Sequence, residues 1–344
     1  TEWRWMIVEE VLSHYDMGDA ESVTAGSGGT ANQNYRVHTS TGDYFIKCRL
    51  PRLSSIEHVR LQHGVLLHLA AGNLPVQAPL HVRDTDETFL RDGDRLWEVT
   101  PFTVGHKFRG SKREIESAGL TLGRLHRCLE SFQPTDFAAN GPLHENRKQI
   151  EQSLQLAEPL FAEPELAGVR VAFHRAFDLL NREFYGSIEL ELQRSIIHGD
   201  YHALNLVFDP AGHVAGVFDW DATGVQIRLR DVVDGLIAFG RKEPEKSGGG
   251  NIIELTRPFD FDPGGVHCFL SAYHRVKTLS DLELRALPLM LRQRWLGIKL
   301  DPLRLGKVDR VAAVELMRDA QRPLQWLDET DALGVASLQS LLRG

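Results

Sequence analysis

Cysteine is scarce in this chain: three in 344 residues, at positions 48, 128 and 268. That number and spacing build neither a disulfide framework nor a thiolate metal centre, and they point to a reducing compartment, the cytoplasm. Long apolar runs are missing as well. No stretch approaches the ~20 residues of a membrane-spanning helix, and no signal pattern opens the sequence, so a membrane partner is not expected. Positive charge is in deficit. Against 47 Asp and Glu stand 39 Lys and Arg, a net charge of −8, which argues against a nucleic-acid partner, since such binding draws on a basic surface. There are no internal repeats, and the one stretch of flexible composition, residues 242–250, reads as a surface loop. A Walker-type G-x-x-x-x-G-K-[ST] loop occurs nowhere. The sequence carries no statement of oligomeric state.

What is present is enough apolar material, 42% of residues, for a full core and more than one average domain. The pattern divides near residue 100. Residues 1–100 alternate short strands with turns, and residues 101–344 are mainly helical, which predicts an α+β chain of two lobes. The most informative block is residues 196–221, IIHGDYHALNLVFDPAGHVAGVFDWD. A short apolar strand delivers His198-Gly199-Asp200. Asn205 follows five residues later, then a strand, an Asp209-Pro210-Ala211-Gly212 turn, and a further strand that ends at Asp219. Phosphoryl transfer asks for this oxygen set: a carboxylate to orient the attacking hydroxyl and take its proton, and hard ligands for Mg²⁺. The order and spacing are those of a protein-kinase-like catalytic base and its two metal-holding side chains. His198 and His202 lie four apart, but Gly199 between them and the preceding strand argue against a helical zinc pair. No Ala-Pro-Glu follows Asp219, which argues against a protein substrate.

On these residues the chain resembles the aminoglycoside phosphotransferase and choline kinase superfamily, which also holds homoserine kinases. There HGDxxxxN replaces HRDxxxxN, and D-x-D or D-x-E replaces DFG. The resemblance implies a protein-kinase-like fold with a hinge near residues 98–105, a catalytic loop at 198–205, a metal motif at 219–221 and an acceptor-pocket region at 225–344. It implies Asp200 as catalytic base and Asn205, Asp219 and Asp221 as Mg²⁺ ligands. The reaction implied is transfer of the γ-phosphate of ATP to a hydroxyl of a small molecule: an amino alcohol, homoserine, a sugar or an aminoglycoside. The alternative is a catalytically idle relative that binds a ligand or partner.

The front of the chain extends the likeness. Gly28-Gly29-x-x-Asn32-x-x-Tyr35-x-Val37 matches the superfamily's opening and implies phosphate contacts from Ser27, Gly28, Gly29 and Asn32. Lys47, twelve residues after Tyr35 in an apolar strand, is implied to reach the α- and β-phosphates. A helix over residues 56–71, capped by Ser54 or Ser55, should steady that lysine with a glutamate. The expected position holds Gln62, which is the chain's one departure; Glu57 or Gln62 itself is left to support Lys47. Residues 97–105, WEVTPFTVG, resemble the hinge, with Thr100 as gatekeeper and Pro101 C=O and Phe102 N–H facing adenine. Leu122-Gly123-Arg124-Leu125-His126 matches an L-G-x-L-H signature on a helix over 112–132. Asp231 is expected as a buried N-cap or loop anchor, and Trp220 and Trp295 as core or pocket aromatics.

Overall fold

The computed structural model describes residues 8–26, 33–49, 55–133, 146–242, 256–329 and 339–340. Two compact units divide the chain: one comprises Thr1–Gly105, Ser131–Ala139 and Ala215–Asp221, the other His106–Glu130, Asn140–Val214 and Ala222–Gly344.

The first unit is built on an antiparallel sheet of β1 (Ala20–Ala25), β2 (Gln33–Thr39), β3 (Gly42–Arg49), β4 (Leu90–Asp92) and β5 (Arg95–Pro101), in the order β1-β2-β3-β5-β4. Side chains alternate across its two faces. Val37, Ile46, Cys48, Trp97 and Val99 enter one apolar cluster with Val8, Val11, Tyr15 and Met17 of the preceding segment. The other face carries Leu96, which packs with Phe89 and with Val59 of α1 (Ile56–Ala71). Ser55, not Ser54, caps α1, its Oγ accepting from the His58 N–H. Because β3 pairs with β5 in the register Lys47↔Glu98 and Arg49↔Leu96, the polar residues of β3 lie on the α1 face of the sheet.

The second unit is mainly helical: α2 (Lys112–Leu129), α3 (Arg147–Ala157), α4 (Ala167–Glu183), α5 (Leu229–Phe239), α6 (Pro263–Val276), α7 (Asp281–Arg304), α8 (Arg310–Met317) and α9 (Arg322–Glu329). Ser111–Glu114 and Ser280–Glu283 form capping boxes at the starts of α2 and α7. Helices α2 and α6 approach closely because two residues of α2 lack a Cβ. A methyl on Gly119 would lie 2.4 Å from the Phe269 carbonyl oxygen, and one on Gly123 2.8 Å from Val276 Cβ. A two-stranded ladder joins β6 (Arg194–Ile197) to β7 (Gly224–Ile227). Trp295 is buried in this second unit, with its Nε1 donating to the Ala320 carbonyl, whereas Trp220 is buried in the first, with its Nε1 donating to the Val217 carbonyl; both are core residues. No helix of the described residues is long and apolar enough to cross a membrane.

Candidate active site

In the second unit, β6 ends at Ile197 and the chain turns sharply. Gly199 has φ +83°, and a Cβ there would fall 2.3 Å from the Ala222 carbonyl oxygen. Only glycine meets both demands. Asp231 sits in the first turn of α5 rather than at its N-cap, and its two carboxylate oxygens accept the N–H groups of His198 and Gly199, each at 2.8 Å. Behind it, the His126 ring lies 3.0 Å from Asp231 and 2.9 Å from the Tyr273 hydroxyl. Burial pushes the Asp231 carboxyl up, but His126, His198 and the Gly199 amide outweigh it and hold it below the ordinary range. A charged anchor therefore fixes the backbone that presents Asp200.

Asp200 is partly exposed, and three side chains organise it. The Asn205 amide donates to the Asp200 carbonyl at 3.0 Å and to its carboxylate at 3.2 Å. His202 Nδ1 accepts from the Leu204 N–H, which places its proton on Nε2, 3.3 Å from Asp200 Oδ2. The Asp200 N–H donates to His198 Nδ1 at 3.2 Å. Burial raises the Asp200 carboxyl, yet His202, Arg294 and His198 together hold it far below the usual carboxylate value. Arg294, on α7, is paired through its Nε with Asp234 of α5, which also accepts from Arg230. The result is an ionised carboxylate in a fixed orientation, the form that accepts a proton or orients a hydroxyl. Since its amide N–H groups are spent on Asp200, Asn205 has its carbonyl oxygen as the atom to offer a cation.

In the first unit, Asp219 has φ +58° and opens the turn that carries Trp220 and Asp221. Asp221 is closely held by its neighbours. Both of its oxygens accept from Lys47 Nζ, at 2.8 and 2.9 Å. Its Oδ1 also accepts from Arg49 Nη1 at 2.9 Å and Gln62 Nε2 at 3.0 Å. Arg49, 2% exposed, donates twice to Glu98 and once to Gln62 Oε1. Burial raises the Glu98 and Asp221 carboxyls, but Arg49 above all outweighs it, driving Glu98 well below its usual value and holding Asp221 below its own. Glu57 does not serve Lys47: it is exposed, and its carboxylate is taken up by its own backbone N–H and Ser55 at the start of α1. Gln62 reaches Arg49 and Asp221. Arg49 and Glu98 were not singled out from the sequence. The available signal was period two, which puts residue 49 on the face of Lys47, but the Glu98 pairing follows only from strand register.

The hinge needs a correction. Phe102 N–H donates to the Asp43 carbonyl at 2.9 Å as the last rung beside β3, so it does not face a nucleotide base. The Val99 carbonyl on the opposite edge accepts from Leu80 N–H. Strand alternation places Pro101 C=O on that second edge, and the next N–H there belongs to Thr103. Ser27, Gly28, Gly29 and Asn32 lie outside the described residues.

Comparison with known proteins decides the family. The sequence profile of the phosphotransferase enzyme family (APH) matches residues 22–262. The chain belongs to the phosphotransferase enzyme family. Among its relatives, a homoserine kinase of Bradyrhizobium sp. (strain ORS 278) is 24% identical over 292 residues, 82% of this chain and 80% of that one. The homoserine kinase of Gluconobacter oxydans (strain 621H) is 28% identical over 292 residues, 82% and 81% of the two chains. Solved structures share the fold. A microcompartment-associated aminopropanol kinase aligns with a TM-score of 0.64 at 18% identity, over 97% of this chain and 99% of that one. The amicoumacin kinase hAmiN, in complex with AMP-PNP, Ca2+ and Ami, aligns with a TM-score of 0.65 at 16% identity, over 93% and 94%. The chain is thus a phosphotransferase of the small-molecule kinase type, with the α+β, protein-kinase-like fold expected from its sequence.

Proposed function

We propose that this enzyme moves the γ-phosphate of ATP to a hydroxyl group of a small metabolite or antibiotic. The observation that carries the proposal is the loop around Asp200. Its backbone is pinned by Asp231, its carboxylate is kept ionised by His202 and Arg294, and Asn205 is locked beside it. Asp200 orients the acceptor hydroxyl and takes its proton. Lys47 holds phosphate oxygens, helped by Ser27, Gly28, Gly29 and Asn32, and Pro101 C=O with Thr103 N–H meets adenine.

A divalent cation fits the donors present. Among the described residues no group of three or more His, Cys, Asp or Glu could hold a metal by itself. Mg²⁺ takes one or two protein oxygens and completes its shell with phosphate and water. Asn205 and Asp219 are the ligands, and the cation when bound neutralises charge on the phosphate oxygens.

The relatives named for homoserine and aminopropanol make small hydroxyl compounds bearing an amine the first acceptors to try, with sugars and aminoglycosides beside them. The test is ADP release from ATP and Mg²⁺ with each compound in turn. Acceptor-dependent turnover by at least one supports the proposal; ATP binding without turnover on any acceptor class favours the idle, ligand-binding alternative.

A further inference from the structure

We propose that Asp221 is the positioning carboxylate of Lys47, a task moved from helix α1 to the loop that follows Asp219. The proposal rests on the reading of Lys47 as the phosphate-binding lysine.

A lysine that meets phosphate needs a fixed anion behind it, because its ammonium sits on four rotatable bonds and is costly to hold in one place. Glu57 is not that anion, and position 62 carries no charge. Asp221 meets the requirement, with both oxygens on Lys47 Nζ. It is itself held by Arg49 Nη1, by Gln62 Nε2 and, through its backbone carbonyl, by the His58 ring at 3.0 Å.

Gln62 is chemically matched to this arrangement. Its Oε1 accepts from Arg49 while its Nε2 donates to Asp221. An ionised glutamate accepts only and cannot make the second bond. It would also add a third carboxylate beside Asp221 and Glu98, where two cations, Lys47 and Arg49, now balance two anions. The amide is therefore the partner that Asp221 calls for, and no sign of an idle enzyme. The same contacts leave Asp221 poorly placed as a metal ligand, since its Oδ1 already accepts from three donors. One consequence is coupling: Asp219 and the carboxylate that aims Lys47 are two residues apart on one turn.

A charge swap tests this. Four proteins are compared: wild type, Asp221→Asn, Gln62→Glu, and the double variant. Calorimetry gives the dissociation constant for ADP with EDTA present, and a Mg²⁺ titration of ADP binding gives the half-saturating cation concentration. Thermal unfolding is followed on the same samples. Asp221→Asn should weaken metal-free ADP binding by about tenfold, the scale of one charge-assisted hydrogen bond, with the Mg²⁺ midpoint unchanged. Gln62→Glu alone should also weaken binding, yet in the Asp221→Asn background it should restore it. A raised Mg²⁺ midpoint with metal-free affinity intact would make Asp221 a metal ligand and overturn the proposal. So would failure of the double variant to recover, or a change confined to thermal stability. If wild type binds no nucleotide at all, the proposed function falls too; if it binds and only the swap fails, this inference alone falls.

Discussion

At the scale of single residues, the environment decides what each charge does. Asp200 keeps its charge because His202, Arg294 and His198 outweigh burial, so its replacement is informative. Asp200→Ala should lower turnover by ~10²–10⁴-fold, the range for general-base assistance, with the ADP dissociation constant within a factor of about two, since no bond to nucleotide is lost. Stopped-time product assays and calorimetry on one preparation check both numbers. A second buried charge lies elsewhere. Lys299, in α7, has no exposed surface; its Nζ donates to the Leu316 carbonyl and lies 5.1 Å from the Trp295 ring centre. Burial, with Arg241 adding to it, lowers its pKa from 10.5 to about 7. Between those values the unfolded chain binds the proton more tightly than the folded one, so this group makes stability rise with pH from about 7 to about 10.5, and its full cost is present below 7. Lys299→Met should therefore raise the melting temperature most near pH 6.5 and progressively less toward pH 9.5. Melting curves across that range check the trend, and a pH-independent difference would show that the lysine does not titrate there.

At the scale of elements, recognition from sequence was uneven, for physical reasons. The shape of the loop proposed as catalytic was legible because its groups are close in sequence: His198 to Asn205 occupy one tight turn, and Gly199 marks its positive φ. Helix α1 was legible from periodicity and its serine cap, to within the choice of Ser54 or Ser55. Contacts set by strand register were not. A shift of one residue exchanges every inward and outward group, which is why Phe102 was assigned the amide that alternation gives to Thr103, and why the Arg49–Glu98 pair went unnoticed. β7 was hidden because four residues pairing with a distant strand leave no local periodicity. Seam packing between α2 and α6 is a testable element-level property. Gly119→Ala would put a methyl 2.4 Å from the Phe269 carbonyl oxygen. It should destabilise the fold by about 1–3 kcal/mol, the usual cost of overpacking, seen as a lower urea midpoint with an unchanged slope.

At the scale of the whole molecule, the chain belongs to the phosphotransferase enzyme family, and Asp200, Asn205 and Lys47, the described residues proposed to act, are each held by named partners. Asp231, legible from sequence as a buried anchor, ties α5 to the catalytic loop. Gln62, which sequence marked as a defect, turns out to be an amide that Arg49 and Asp221 both use. Sequence carried the family and the loop proposed to react, while the charge arrangement around Lys47 was hidden, because it joins β3, α1, β5 and the turn after Asp219. Loss of that last turn's acid has its own signature: Asp219→Ala should abolish the Mg²⁺ dependence of ADP binding while leaving metal-free binding in place, as a titration with and without EDTA would register. The most direct measurement is phosphorus NMR of the complete reaction, ATP and Mg²⁺ with the panel of hydroxyl compounds, run with wild type and with Asp200→Ala. The expected result is a new phosphomonoester resonance on at least one acceptor, growing as the γ-phosphate signal declines, and forming ~10²–10⁴-fold more slowly with the variant. Inorganic phosphate as the sole product on every acceptor, or equal ester formation by the variant, would contradict it.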